Sequence, residues 1–361
     1  MDIFVVALLV LLLVGIQVKR EGYFEDSLSP QNTNQLRGIF ALVVILHHLS
    51  QRSSGSIVFP LFAYVGYLAV SVFFFISGYG LMTQYQQRQQ TYAKTLLTLR
   101  IPSVLIPYLI TTVLYSVFYG VMGETVTVQS VLFSLVNGSP IALFSWYIIA
   151  ILCFYFLFYL ATKLSKGNRK IHMLITWLGL LAYIILCMLL NYGSWWYNSC
   201  FAFGLGVVWA VYHEQIMEFF KRRFVAKFSL SFVLFLIIFS VPVVIDVCKL
   251  DYNKLALVIL ICQVIASLLF SAIVALAGTK VQFKNRILSL IGDLSLEIYL
   301  IQGIAITLLR SDKLYLQNSV LYTLLVFAIT APLALLLHIV FKWINTHYKA
   351  LVNRKRSKIS A

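Results

Sequence analysis

Charge is what this sequence has least of. Only 11% of its 361 residues are Asp, Glu, Lys or Arg, while 61% are hydrophobic. A soluble globular chain carries about 25% charged and about 45–50% apolar residues. Mean hydropathy is +0.91, which excludes an ordinary water-soluble enzyme. Acidic residues are the scarcer sign, 12 against 28 Lys and Arg, for a formal net charge of +16. The five cysteines (Cys153, Cys187, Cys200, Cys248, Cys262) form no CxxC pair and lie in or beside apolar runs. They read as small buried apolar residues, with no metal site and no disulfide framework expected. No polar block is long enough for a second, soluble domain. GxSxG, HExxH, Walker A and Rossmann fingerprints are all missing.

Apolar runs fill what is left. Eleven of them, roughly 2–18, 38–51, 58–84, 101–122, 143–162, 171–191, 196–213, 228–247, 255–278, 287–309 and 318–344, are separated by basic or polar clusters. About 20 apolar residues cross a bilayer as a helix. The runs do not alternate polar with apolar, which excludes a membrane β-barrel. The expected fold is therefore an all-α polytopic membrane bundle of about eleven transmembrane helices. The first run has Asp2 before it and Lys19-Arg20 after it. That is the reverse of a signal peptide, so it reads as a retained helix.

The excess of positive charge has a membrane explanation. Segments after the odd-numbered helices hold 23 of the 28 Lys and Arg, and the even-numbered loops hold five: Arg52, Lys249, Lys254, Arg310 and Lys313. The positive-inside rule then puts the N-terminus outside and the C-terminus in the cytoplasm. The run Arg354-Lys355-Arg356-Ser357-Lys358 reads as a topology and anionic-lipid signal, not a nucleic-acid site. The polar stretch 123–142 reads as extracellular, with a short surface helix.

Ionisable groups inside a bilayer are functional candidates by default. Arg37 and His48 lie eleven residues apart in the second run. That spacing returns to within about 20° on a helix and spans about 16 Å. One face then carries a cation at the cytoplasmic mouth and an imidazole deeper in, which suits a long anionic donor reacting at its far end. The same residues also fit an interfacial arginine and a histidine satisfied by a neighbour. His47 points about a quarter-turn away. In the tenth run Asp293 and Glu297 are i,i+4. They fit cation binding, proton relay, or a hydrogen-bonded lock with Ser, Tyr or Asn on a facing helix. Ser77-Gly78 reads as a packing notch or a cavity lining. Arg100 is a topology marker or a phosphate contact, with Pro102 opening the next helix. Trp146-Tyr147 and Trp195-Trp196-Tyr197 fall where outer aromatic belts are expected. His172, His213, His338 and His347 fall near predicted helix ends or far from the other candidates, and form no metal-ligand spacing.

In order along the chain, Arg37-Gly38-Ile39 through His48, Phe73–Gly78, Arg100-Ile101-Pro102 with Pro107-Tyr108, and Ser145-Trp146-Tyr147 carry a pattern. It continues in Trp196-Tyr197-Asn198 with Phe203-Gly204-Leu205-Gly206, and in Ser295–Leu300. Together they resemble the integral-membrane acyltransferase-3 family, in its stand-alone Gram-positive form. The resemblance implies a ten-helix core, so that 1–35 is an extra N-terminal helix and linker, 36–346 the membrane domain and 347–361 a basic tail. It also implies a cytoplasmic acetyl-CoA (acyl-CoA) donor, no metal, and transfer to a hydroxyl of a carbohydrate at the outer face. His48, Arg37 and Glu297 are then the catalytic candidates. Arg37, Arg100, Ser77, Trp146, Tyr197 and Asn198 are the donor-binding ones. Three features depart from the family pattern. Leu97 stands where a first arginine is usual, Gln302 stands where the late motif often has His, and the chain ends before an appended extracytoplasmic domain.

The leading expectation is thus a membrane O-acetyltransferase acting on a cell-envelope or exported polysaccharide. It would sit in a bacterial plasma membrane, with the bilayer and other polysaccharide-assembly proteins as further partners. The alternatives are a secondary transporter or glycan flippase using Asp293 and Glu297, and a scaffold of polysaccharide assembly.

Overall fold

The computed structural model describes residues 2–53 and 59–360, without the side chains of 90, 91, 252 and 355–360. Its elements are α1 (Asp2–Leu13), β1 (Ile16–Val18), α2 (Pro30–Ser50), α3 (Gly66–Arg88), α4 (Gln90–Thr95), α5 (Pro102–Met122), α6 (Val128–Val136), α7 (Trp146–Leu164) and α8 (Arg169–Leu189). There follow α9 (Phe201–Val211), α10 (His213–Lys221), α11 (Phe224–Val247), α12 (Tyr252–Ala277), β2 (Val281–Phe283), α13 (Arg286–Asp293), α14 (Ser295–Leu308), β3 (Arg310–Ser311), β4 (Leu314–Tyr315) and α15 (Ser319–Ser360). Short 3₁₀ turns occupy Phe59–Tyr64 and Ser194–Trp196, and a π turn occupies Leu96–Arg100.

Among the described residues seven helices are long and apolar enough to cross a membrane, and an eighth counts if α13 and α14 form one broken span. Every one of the eleven apolar runs contains helix, but four depart from a simple crossing of the expected bounds. The first run is helical for only 12 residues; at Gly15 the chain takes a left-handed φ of +76° and leaves as β1. The second begins eight residues earlier than its apolar stretch, because Ser29 caps the helix and Pro30 opens it. The seventh is helical for only 11 residues. The tenth run, expected as one helix, is broken between Asp293 and Ser295. The surface helix expected within 123–142 is α6, which Thr127 and Ser130 start with a reciprocal capping box.

The chain divides into two compact units, residues 1–87 with 167–293 and residues 88–166 with 294–361. In the first unit β1 pairs antiparallel with β2, Ile16 opposite Phe283. Asn285 reinforces that end. Its amide donates to the Leu11 and Val14 carbonyls, and its oxygen accepts from the Ile287 and Leu288 amides. Tyr23 O–H donates to the Lys221 carbonyl at 3.5 Å and Lys280 Nζ to the Gly22 carbonyl at 2.7 Å. The loops after the first, seventh and ninth runs therefore share one end of this unit. At the opposite end Asp2 accepts from the Phe59 amide, and Tyr64 O–H donates to Asp246 at 2.5 Å. In this unit the loops after the first, seventh and ninth runs thus meet at one end, and the N-terminus and the loops after the second and eighth runs at the other.

Glycines set the closest approaches. A Cβ at Gly38 would overlap the backbone of Leu288, and one at Gly292 the backbone of Asn34, so α2 and α13 touch main chain to main chain. Gly78 against Phe203 and Gly206 against Phe75 do the same for α3 and α9. Leu68, Phe235, Ala266 and Ile273 form an apolar core among α3, α11 and α12. Cys187, Cys200 and Cys262 are buried, whereas Cys153 and Cys248 are exposed, contrary to the expectation for them.

In the second unit Tyr299 O–H donates to the Phe144 carbonyl, fastening α14 to the turn before α7. Lys313 Nζ reaches the Val121 carbonyl at 3.2 Å, joining the loops after α5 and α14. The outward faces of α11 and of both ends of α15 present leucine, valine and isoleucine, as lipid-facing helices must.

Candidate functional site

Arg37 and His48 both lie on α2, as expected, but Arg37 is not at the helix start. It stands seven residues inside from Pro30, about 10 Å along the axis. His48 is 8% exposed and two residues from the helix C-terminus. Its ring stands 5.0 Å from that of His47.

The two adjacent histidines have different surroundings. His47 Nδ1 lies 2.9 Å from the Phe62 carbonyl, and its Nε2 lies 3.2 Å from Gln51 Nε2. The carbonyl only accepts and the amide nitrogen only donates, so His47 is a neutral imidazole with its proton on Nδ1. The ring also fills the space that a side chain at Gly66 would need. His47 thus locks the return from α2 into α3.

Depth along the bundle follows from one ring contact. Phe40 on α2 meets Phe270 on α12, centroids 5.8 Å apart and edge to face. The two helices run in opposite directions. His48 lies eight residues beyond Phe40, about 12 Å, and Gln263 lies seven residues before Phe270, about 10 Å. They therefore stand at about the same level. Tyr252 starts α12 about 27 Å above Phe270, whereas Ser50 ends α2 about 15 Å above Phe40. The C-terminus of α2 therefore stops about 12 Å short of the start of α12 along the bundle, with His48 below that level.

Ser77 is buried in α3 one residue before the Gly78 contact with α9. Tyr197 and Asn198 are buried just before α9, and Asn198 Nδ2 donates to Gln263 Oε1 at 3.2 Å. Asp293 ends α13 and accepts from Asn34 Nδ2 at 2.9 Å, while the same amide reaches the Ser289 carbonyl at 3.0 Å. Asp293 is thus the acceptor of an interhelical lock with an asparagine.

The second unit carries the remaining candidates. Arg100 ends the π turn, a local widening that recurs at functional positions. Its guanidinium donates to Tyr155 O–H at 3.2 Å and lies 5.4 Å from the centre of that ring. Trp146 opens α7 edge-on to Tyr147, which meets Tyr299 at 5.4 Å. Glu297 is 5% exposed in the first turn of α14, and its Oε1 lies 3.0 Å from His338 Nδ1 on α15. Gln302, in place of the usual histidine, is fully buried.

The break after Asp293 separates the pair expected at i,i+4. Asp293 and Glu297 sit on different helices with different partners, so they do not form a two-carboxylate face. His338, set aside as a helix-end residue, is the partner of Glu297. A lone histidine inside Leu335-Leu336-Leu337-His338-Ile339-Val340 was the available signal. His172, also set aside, is fully buried and stacked on Tyr85 at 5.6 Å. Gln263 carried a weaker signal, as one amide in the long apolar run of α12.

What stands here is a polytopic helical membrane protein whose α2 carries Arg37 and His48 eleven residues, about 16 Å, apart. An acyltransferase domain family model matches residues 32–339, which include nearly all of α2, α3 to α14 and the first half of α15, and leave α1 and β1 outside. The chain belongs to the acyltransferase-3 family and is a membrane acyltransferase. No curated protein and no solved structure matches it.

Proposed function

We propose that this acyltransferase moves an acetyl group from cytoplasmic acetyl-CoA to a hydroxyl of a cell-envelope or exported polysaccharide, in a bacterial plasma membrane. The observation that carries the reading is α2 itself, with Arg37 and His48 on one face and His48 immersed near the end at which the even-numbered loops meet. The charge distribution assigns that end to the outside and the C-terminus to the cytoplasm.

A thioester with a phosphorylated carrier is long, anionic at one end and reactive at the other. Arg37 binds a phosphate of that carrier by charge-assisted hydrogen bonds. His48 takes the proton from the acceptor hydroxyl as its oxygen attacks the thioester carbonyl. The new C–O bond forms, the C–S bond breaks, and the proton passes to the departing thiolate, giving an acetyl ester and the free thiol. General-base assistance of this kind contributes about 10²–10⁴-fold. Arg100, held over Tyr155 in the second unit, is itself a phosphate-binding candidate. Glu297 acts through its ion-pair partner His338.

The test is transfer of radiolabelled acetyl from acetyl-CoA into a cell-envelope glycan fraction by the purified protein in nanodiscs. Transfer is expected, with Arg37→Ala raising the KM for acetyl-CoA more than it lowers kcat. No transfer to any glycan fraction, or solute uptake into liposomes without a requirement for CoA, refutes the reading in favour of a transporter.

A further inference from the structure

The α8–α9 connection is not a surface loop. α9 has 11 residues, about 16 Å, roughly half of a hydrocarbon core about 30 Å thick. α8 nevertheless leads to the outer end and α10 leads away from the inner end, where Lys221 meets Tyr23. Residues 190–200 must therefore cover the outer half as turns. Their second half is buried: Trp196, Tyr197, Asn198, Ser199 and Cys200 are all 8% exposed or less, whereas Leu190, Asn191 and Trp195 are exposed. Non-helical backbone persists at membrane depth only where protein covers it or where it lines a hydrated cavity.

A second estimate gives the same depth. Asn198 bonds Gln263, which lies eleven residues into α12 from its outer start, about 16 Å down. The Phe40–Phe270 contact puts Gln263 at about the level of His48. The polar groups here are under-used. Asn198 is 4% exposed, and its Oδ1 accepts no hydrogen bond among the described residues; neither does Ser199 Oγ engage one at 1% exposure. A buried amide oxygen without a donor is destabilising, so such a group marks a place for a ligand that donates.

We propose that Asn198 and Gln263 form the acceptor-hydroxyl site of this enzyme, a dipping polar turn that offers one amide acceptor and one amide donor at the depth of His48. The ligand class is a polyhydroxylated molecule entering from the outer side, whose hydroxyls both donate and accept. This rests on the acetyl-transfer reading for its catalytic meaning, but the binding claim stands apart from it. It also moves Asn198 from the donor to the acceptor.

The experiment uses the full chain in nanodiscs and a panel of methyl glycosides of glucose, galactose, mannose and N-acetylglucosamine as probes. Binding is read by saturation-transfer NMR, and acetyl-CoA turnover is read separately by thiol release. Wild type is expected to bind at least one glycoside saturably. Gln263→Leu and the near-isosteric Asn198→Leu, which remove the amide groups, should each weaken that binding about tenfold or more. Loss of glycoside binding without a rise in the KM for acetyl-CoA assigns the pair to the acceptor. Gln263→Asn should recover part of the binding. No saturable glycoside binding by wild type, or equal binding by the variants, overturns the site. So does a rise in acetyl-CoA KM that accompanies the loss. Glycoside binding that follows this pattern without any acetyl-CoA turnover would uphold the site and refute only the acetyl-transfer reading.

Discussion

Replacing Gly38 by alanine tests the frame that holds α2, the helix that carries Arg37 and His48. A Cβ there would overlap the Leu288 carbonyl oxygen, and would lie 3.0 Å from its carbon and 3.2 Å from the Gly292 nitrogen. All three are main-chain atoms, so no side chain can swing aside and α2 must separate from α13. Overpacking of this kind costs about 1–3 kcal/mol. Alanine in a helix interior also gains about 0.5–1 kcal/mol over glycine. Gly80, on α3 of the same unit, has nothing within 4 Å of its would-be Cβ. Gly80→Ala therefore takes the helix gain alone, and the gain cancels when the two variants are compared. The account predicts that Gly38→Ala is less stable than Gly80→Ala by about 1–3 kcal/mol. Thermal melts of both variants in nanodiscs measure the difference. Because α2 carries His48, Gly38→Ala should also lose transfer activity, since a shift of about 1 Å costs up to about 100-fold. Equal melting of the two variants would refute the backbone-contact reasoning.

Three further outcomes are expected. His338→Leu leaves the Glu297 carboxylate without its imidazole, and with His338 about one-third exposed the cost is about 1–3 kcal/mol; Glu297→Gln should cost less, and paired melts decide the order. His213 begins α10 beside the Tyr79 ring, and burial pulls its imidazole below 6.5, with Glu214 opposing and Lys221 reinforcing the shift. Its neutral form is the stable one, so its contribution is complete above about pH 6.5 and falls as pH drops toward the lowered value. The slope of melting temperature between pH 5 and 7 should therefore be shallower in His213→Gln. His47→Ala should lower the melting temperature more than it lowers transfer, because His47 fastens the Phe62 carbonyl and Gln51.

Seven of the eleven apolar runs are helices long and apolar enough to cross a membrane among the described residues, and the tenth is a broken one; these were legible because hydropathy depends only on local composition. The sequence shows less about where helices start and stop. α2 gains two turns from Ser29, Pro30 and the polar run Gln31–Gln35, a capping signal that a hydropathy reading passes over. The break after Asp293 and the half-length of α9 were likewise hidden, because an apolar stretch does not record whether its backbone is continuous. Arg37 and His48 were legible because both lie on one helix, where spacing becomes geometry. The Glu297–His338 pair and the Asn198–Gln263 pair were not. The first joins residues 41 positions apart and the second residues 65 apart, and only tertiary packing decides which helices face each other. The same holds for the reciprocal glycines, whose meaning depends on the neighbour they admit.

The most direct test of the central claim is acetyl-CoA turnover with a glycan acceptor by purified wild type and His48→Ala, both checked for folding by melting temperature. Loss of about 10² to 10⁴-fold in transfer at near-normal stability is the predicted result. Wild-type transfer by a folded His48→Ala protein would contradict it.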